Sequence, residues 1–276
     1  MAKKMSNLVS RVLVALVGIP LIVALCLIGK IPFLIFVLLI GFIAFYEFTG
    51  MMKHKNSYTN RTIGSASVVL IILNEYYHFL DYHIFFVILI LMLLLSELFR
   101  NRSSAISNLG STLLGILYIG FFAASILDLR EFYNDSAFTY SQGGYLILSI
   151  LVSIWLCDSA AYFIGSAYGL HKLMTRVSPK KSWEGAVAGF IFAIIGMIAA
   201  RSLVLDFLST TDAIVIGIIV GLFGQIGDLV ESLIKRDANV KDSSSIIPGH
   251  GGLLDRFDSL LFTAPIVYLY LRLISQ

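Results

Sequence analysis

The sequence predicts an all-α polytopic membrane protein of about nine transmembrane helices, N-terminus cytoplasmic and C-terminus outside. Three observations predict it. Of 276 residues, 58% are hydrophobic and only 13% charged, about half the charge that a water-soluble domain carries. Several apolar runs reach the ~20 residues that span a hydrocarbon core roughly 30 Å thick. The lysines and arginines also gather in alternate connections between those runs.

In chain order the spans are expected at about 11–29, 31–50, 63–80, 83–99, 109–128, 143–166, 185–205, 212–234 and 256–275. Lys3, Lys4 and Arg11 precede the first run as they would in a signal peptide. No small-x-small cleavage site stands before Lys30, so the run reads as a retained helix. Lys30 and Pro32 mark a tight turn into the second. With the N-terminus inside, only Lys30, Arg130, Arg201 and Arg272 of the 20 basic residues fall outside. Eight or ten spans would place some basic loops on the wrong face. Asp81, Asp128 and Asp135 fall in short outer connections, read as solvated. Cys26 and Cys157 lie inside apolar runs without a CxxC or Cys/His cluster, which argues against zinc and disulfides. The net charge of +3 is modest, and no nucleic-acid partner is expected.

The longest polar segments, about 167–184 and 235–256, both fall on the cytoplasmic face. Between Gly227 and Arg236, the residues Asp228, Glu231, Ser232 and Lys235 recur at spacings of three and four. They therefore share one helix face, opposite Leu229, Val230, Leu233 and Ile234. A salt bridge from Glu231 to Lys235 would account for one carboxylate. It leaves Asp228 deeper, with no cation on its own helix, and intramembrane carboxylates are costly unless paired or metal-bound.

The next segment runs Pro248-Gly249-His250-Gly251-Gly252-Leu253-Leu254-Asp255-Arg256-Phe257-Asp258. Its glycines let backbone approach a ligand closely, and its amides suit phosphate. Asp255 and Asp258 follow at the start of the last helix; capping explains one of them more readily than both. Asp228, Glu231, Asp255 and Asp258 together are expected to form a hard-oxygen site for Mg²⁺, ringed by Lys235, Arg236, Lys241, His250 and Arg256. That layout suits metal-assisted chemistry on a nucleoside triphosphate. Two patches join it. Asp158 lies within the sixth span, where a site and a helix–helix hydrogen bond are equal readings. The segment Ser178-Pro179-Lys180-Lys181-Ser182-Trp183-Glu184 is either a phosphate clamp or a topology signal touching anionic lipid.

Ser232-x-Ile234-Lys235-Arg236, then Lys241-Asp242, then Pro248-Gly249-His250-Gly251-Gly252-Leu253-x-Asp255-Arg256-Phe257-Asp258 resembles the signature of the phosphatidate cytidylyltransferases (CDP-diacylglycerol synthases). Asp158-Ser159-x-Ala161-Tyr162 and Ser178–Ser182 with Glu184-Gly185 are similar to that family too. The resemblance is sharp over about 158–258, and a pattern this long is more specific than a lone glycine motif. It implies a dimeric enzyme, dependent on Mg²⁺ with K⁺ as a second cation, converting CTP and phosphatidate to CDP-diacylglycerol and pyrophosphate. The resemblance also implies metal positions at Asp228, Asp255 and Asp258, with Glu231 a further partner. Helices 1–5 (1–142) would then precede a catalytic part (143–276) in a cell inner membrane, its site facing the cytoplasm. In this division of labour Lys235, Arg236, Lys241, His250, Gly251 and Gly252 hold nucleotide phosphates. Ser178, Lys180, Lys181 and Arg256 grip the lipid headgroup. Two rivals share parts of the pattern: a CTP-dependent lipid-alcohol kinase and a cation-coupled transporter.

Overall fold

The computed structural model describes residues 7–133, 139–246 and 251–274. Its helices are α1 (Asn7–Ile28), α2 (Lys30–Lys53), α3 (Arg61–Tyr77), α4 (Tyr82–Leu98), α5 (Ala105–Gly115) and α6 (Phe122–Glu131). They continue with α7 (Tyr140–Tyr168), α8 (Trp183–Leu203), α9 (Thr210–Asp237) and α10 (Leu254–Ile274). A π-helical turn, Ile116–Phe121, joins α5 to α6, so the two form one rod. Each of the nine expected apolar segments therefore falls on a helical rod. Among the described residues, six rods are long and apolar enough to cross a membrane: α2, Ala105–Glu131, α7, α8, α9 and α10. Exposure agrees with a lipid surround. Only 22% of the apolar window of α8 is buried, and α4 presents Ile84, Val87, Ile88, Leu91, Leu94 and Leu95 outward. A contiguous apolar face of that kind is unstable in water. The chain is a multi-pass membrane protein.

Helix starts follow local chemistry. The side chains of Asn60, Asp81, Ser104 and Ser182 accept the backbone N–H of Ile63, Ile84, Ser107 and Gly185, respectively, satisfying donors that a helix start leaves orphaned. Asp81 is thus a cap for α4 as well as a connection residue. The turn from α1 into α2 places Gly29 and Lys30 at positive φ.

The chain forms two compact units whose bounds differ from a cut at residue 142. The first comprises Met1–Leu25, Lys30–Leu127 and Asp237–Phe257. Within it, Phe33, Val37, Phe45 and Phe48 of α2 are buried, as are Val68, Ile71 and Ile72 of α3 and Ile116 and Ile119 of the π turn. A polar hub closes one end of this unit. Asn108 donates to Glu97 Oε1 (2.5 Å) and the Arg102 carbonyl (2.6 Å) and accepts from Tyr58 N. Arg100 donates to the carbonyls of Tyr58 and Thr59. The segment Asp237–Phe257 belongs here because a buried side chain of α2, Glu47, accepts hydrogen bonds from it.

The second unit comprises Cys26–Gly29, Asp128–Arg236 and Asp258–Gln276. The fully buried Arg130 donates to the carbonyls of Cys26, Leu27 and Tyr140, tying the last turn of α1 to the start of α7. Helices α7 and α8 pack backbone to backbone, as small residues allow where lipid offers no hydrophobic drive. Between them lies an antiparallel hairpin of β1 (Lys172–Met174) and β2 (Ser178–Ser182). The basic segment Ser178–Ser182 is therefore a strand. Its base is fixed to α8: Trp183 N donates to His171 O, and the Glu184 carboxylate accepts His171 N. Ser182 caps α8 and also lines a cavity beside the hairpin.

Close approach also joins α9 to α10. A Cβ on Gly227 would lie 2.6 Å from Phe262 Cβ and 2.9 Å from the Asp258 carbonyl oxygen. Gly227→Val is expected to push the helices apart and lower stability by about 1–3 kcal/mol, read as a drop in the thermal midpoint of detergent-solubilised protein.

Candidate active site

Asp228 and Glu231 are three residues apart on α9 and so share its face. Because Gly227 admits α10 so closely, Asp258 comes to the same place: oxygens of Asp228, Glu231 and Asp258 lie within 4.8 Å of one another. Glu231 and Asp258 are buried, whereas Asp228 is half-buried at the open side. Two lysines compensate the charge. Lys235, one turn further along α9, pairs with Glu231; Lys181 Nζ reaches in from β2 to 2.6 Å from Asp228 Oδ2. Ser232 Oγ donates to Asp228 Oδ1 (3.3 Å), and Ser259 N donates to Asp258 Oδ1 (2.7 Å). Three formal negative charges thus face two positive ones. All three ligand groups are hard oxygens, the donor set that could hold Mg²⁺.

Asp228 and Lys181 also line a cavity of about 610 Å³ between α7, the hairpin, α8 and α9. Asp158, Tyr162, Lys172, Lys180 and Gln225 complete its polar wall. Gln225 is locked by donating Nε2 to the carbonyls of Ala186 (3.0 Å) and Gly221 (2.7 Å). Asp158, left undecided between site and helix–helix bond, faces this cavity.

In the first unit, Asp255 has a different surrounding. Its Oδ2 accepts from Ser243 N (3.0 Å), Ser243 Oγ (3.0 Å) and Gly252 N (2.8 Å). It fastens the glycine turn, in which Gly251 has φ +85°, and Asp255 is not one of the three clustered carboxylates. Arg236 is exposed and donates Nε to Val177 O (3.3 Å), at the hairpin turn. Lys180, Lys241 and Arg256 are exposed, and Ser178 begins β2 outside the cavity wall. His250 and residues 247–249 lie outside the described residues.

Two features escape inspection of the sequence. The cation for Asp228 is Lys181, 47 residues earlier in the chain. Glu47 holds Ser243, Ser244, Leu253 and Leu254 from about 200 residues away in the chain. A signal for it existed, since Glu47 interrupts the apolar run of α2, and an intramembrane carboxylate is a site candidate by default.

The buried pair gives a direct test. Lys235→Met would strand the buried Glu231 charge and is expected to cost about 3–5 kcal/mol. Adding Glu231→Gln should restore most of it, as measured by thermal denaturation of the purified variants.

A model of the Cytidylyltransferase family matches residues 9–274. The chain is 32% identical to the phosphatidate cytidylyltransferase of Bacillus subtilis (strain 168), over 98% of this chain and 100% of that protein. It is 32% identical to the enzyme of that name from Staphylococcus saprophyticus, over 95% and 98% of the two chains. For Staphylococcus aureus (strain COL) the identity is 31%, over the same shares. The match runs through every helix and through both segments that carry the carboxylates: the chain belongs to the cytidylyltransferase family.

Proposed function

We propose that the chain is a phosphatidate cytidylyltransferase, joining CTP to phosphatidate to give CDP-diacylglycerol and pyrophosphate. The observation that carries this reading is Lys181, which both pairs with Asp228 of the carboxylate cluster and lines the cavity. Acid and base thereby meet at one place, where a lipid phosphate and a nucleotide triphosphate can be brought together. The relatives' shared name supports the same reaction.

The nucleophile is a phosphomonoester with a second pKa of roughly 6 by analogy with phosphoserine, so it is largely dianionic near neutral pH. It needs no strong general base. It needs the repulsion from the triphosphate reduced and an in-line approach to the α-phosphorus. A lipid phosphate oxygen bonds to that phosphorus as the bond to the bridging oxygen of pyrophosphate breaks. Asp228, Glu231 and Asp258 would hold Mg²⁺, with K⁺ as a second cation; when bound, Mg²⁺ supplies charge neutralisation of phosphate oxygens. Lys180, Lys181 and Lys172 offer the cavity's positive charge to the lipid phosphate. Arg236, Lys241, Gly251, Gly252 and His250 would serve the triphosphate, and Arg256 the lipid headgroup; Arg236, Lys241 and Arg256 are exposed. Lys235 pairs with buried Glu231. Ser178, which begins β2, would assist Lys180 and Lys181 on the same strand.

Nine spans, a cytoplasmic N-terminus, an outside C-terminus and a site facing the cytoplasm of a cell inner membrane complete the proposal. The basic residues of the hairpin and the α9–α10 connection then lie on the side where CTP is found. A homodimer belongs to the same reading and is checked by light scattering in detergent.

Purified protein given labelled CTP and phosphatidate should release pyrophosphate and form CDP-lipid. A phosphorylated lipid alcohol with CDP would instead make it a kinase. Asp228→Asn, Asp255→Asn and Asp258→Asn should each abolish turnover while the protein elutes as wild type in size exclusion. Lys180→Ala should raise the apparent KM for phosphatidate more than that for CTP; an equal rise would reject the headgroup role.

A further inference from the structure

We propose that Glu47 is a positioning residue for cytidylyl transfer, which fixes Ser243, Ser244, Leu253 and Leu254 and, through Ser243, the side chain of Asp255. Glu47 lies in α2 between aromatic neighbours and is 2% exposed. A carboxylate in an apolar rod is costly unless its lone pairs are satisfied. Four donors satisfy it, and all come from one segment. Oε1 accepts from Ser244 Oγ (2.6 Å) and Leu253 N (2.9 Å); Oε2 accepts from Ser243 Oγ (3.0 Å) and Leu254 N (2.8 Å).

Three features make this more than a structural tie. First, the amides of Leu253 and Leu254 open α10 and are among the orphan donors of a helix start, where negative charge is favoured. Glu47 supplies from another helix the capping that a local side chain supplies elsewhere in this chain. Second, Ser243 Oγ lies 3.0 Å from both Glu47 Oε2 and Asp255 Oδ2. A hydroxyl has one proton to donate, so the state of one carboxylate constrains the bond to the other. Third, the turn closes tightly on the carboxylate: a Cβ on Gly252 would stand 2.6 Å and 2.7 Å from the Glu47 oxygens. The glycine turn, Asp255 and Glu47 therefore adopt one arrangement together.

The inference rests on the reading that Asp255 and the glycine turn serve the reaction. Its test is Glu47→Gln, which keeps the volume but leaves one acceptor oxygen where two were used. Glu47→Gln should fold, with faster hydrogen exchange at the amides of Leu253 and Leu254. Its kcat should fall by about 10- to 100-fold, the range for partners that orient a site from outside it. KM for CTP should rise, while KM for phosphatidate should stay within about twofold. Ser244→Ala should show the same pattern more weakly, and the double variant should fall no further than Glu47→Gln alone.

Wild-type kcat and a wild-type KM for CTP in Glu47→Gln would overturn the proposal. So would a loss of activity wholly explained by less folded protein. If Glu47→Gln fails to fold, the Ser243→Ala/Ser244→Ala pair replaces it under the same criteria. Asp255→Asn in the same series separates the two levels. Full activity there removes the loop from the site and overturns both readings, whereas an inactive Asp255→Asn beside a wild-type Glu47→Gln overturns this one alone.

Discussion

Carboxylates whose oxygens approach within 4.8 Å repel one another by about 3 kcal/mol per pair at an effective dielectric constant near 20. Asp228, Glu231 and Asp258 do so within a helical membrane bundle, and much of the surrounding structure answers that repulsion. Lys235 neutralises the deepest carboxylate from the same helix. Lys181 neutralises the shallowest from a strand. The backbone of Asp258 can come so near α9 only because position 227 carries no side chain. Losing any of these would drive one carboxylate to take up a proton or turn away.

Such an arrangement costs less where the membrane meets water, and the elements that build it sit at helix ends. The hairpin gives Lys181 a rigid support. Ser182 and Glu184 fix the hairpin's base to the first turn of α8, so the lysine is held by strand geometry rather than by a free loop. A long side chain that is already ordered loses less rotamer entropy on meeting a phosphate. A transporter would need carboxylates spread along a path through the bundle, whereas here acid and base gather at one cavity.

The helical rods, six of them long and apolar enough to cross a membrane among the described residues, were legible because a run of span length requires no knowledge of partners. The Asp228–Glu231 face was legible too, because spacing within one helix is fixed geometry. The different surroundings of Asp255 and Asp258 were not. Three residues apart on a helix, they point in similar directions, but the first turn lets Asp255 fold back onto Ser243 and Gly252. Lys181 and Glu47 were missed as partners because their contacts span 47 and about 200 residues. The basic patch around Lys180 was visible, but its extended form was not: two strands this short depend on the Glu184 and Ser182 anchors more than on propensity.

The two ion pairs of the site differ in burial, and that difference decides which can exchange. Lys235 and Glu231 are 11% and 0% exposed at their side chains, whereas Lys181 and Asp228 are 28% and 35% exposed. Breaking the buried pair leaves two charges with little water to receive them. Breaking the other leaves both partly solvated, at the modest cost of a surface pair. A phosphate entering the cavity can therefore draw Lys181 from Asp228 at low cost, and the carboxylate so released faces the cluster with a full negative charge. Under the proposed function, anion binding on one side of this pair would strengthen cation binding on the other. The same reciprocity predicts that a cation at the cluster loosens Lys181 for phosphate.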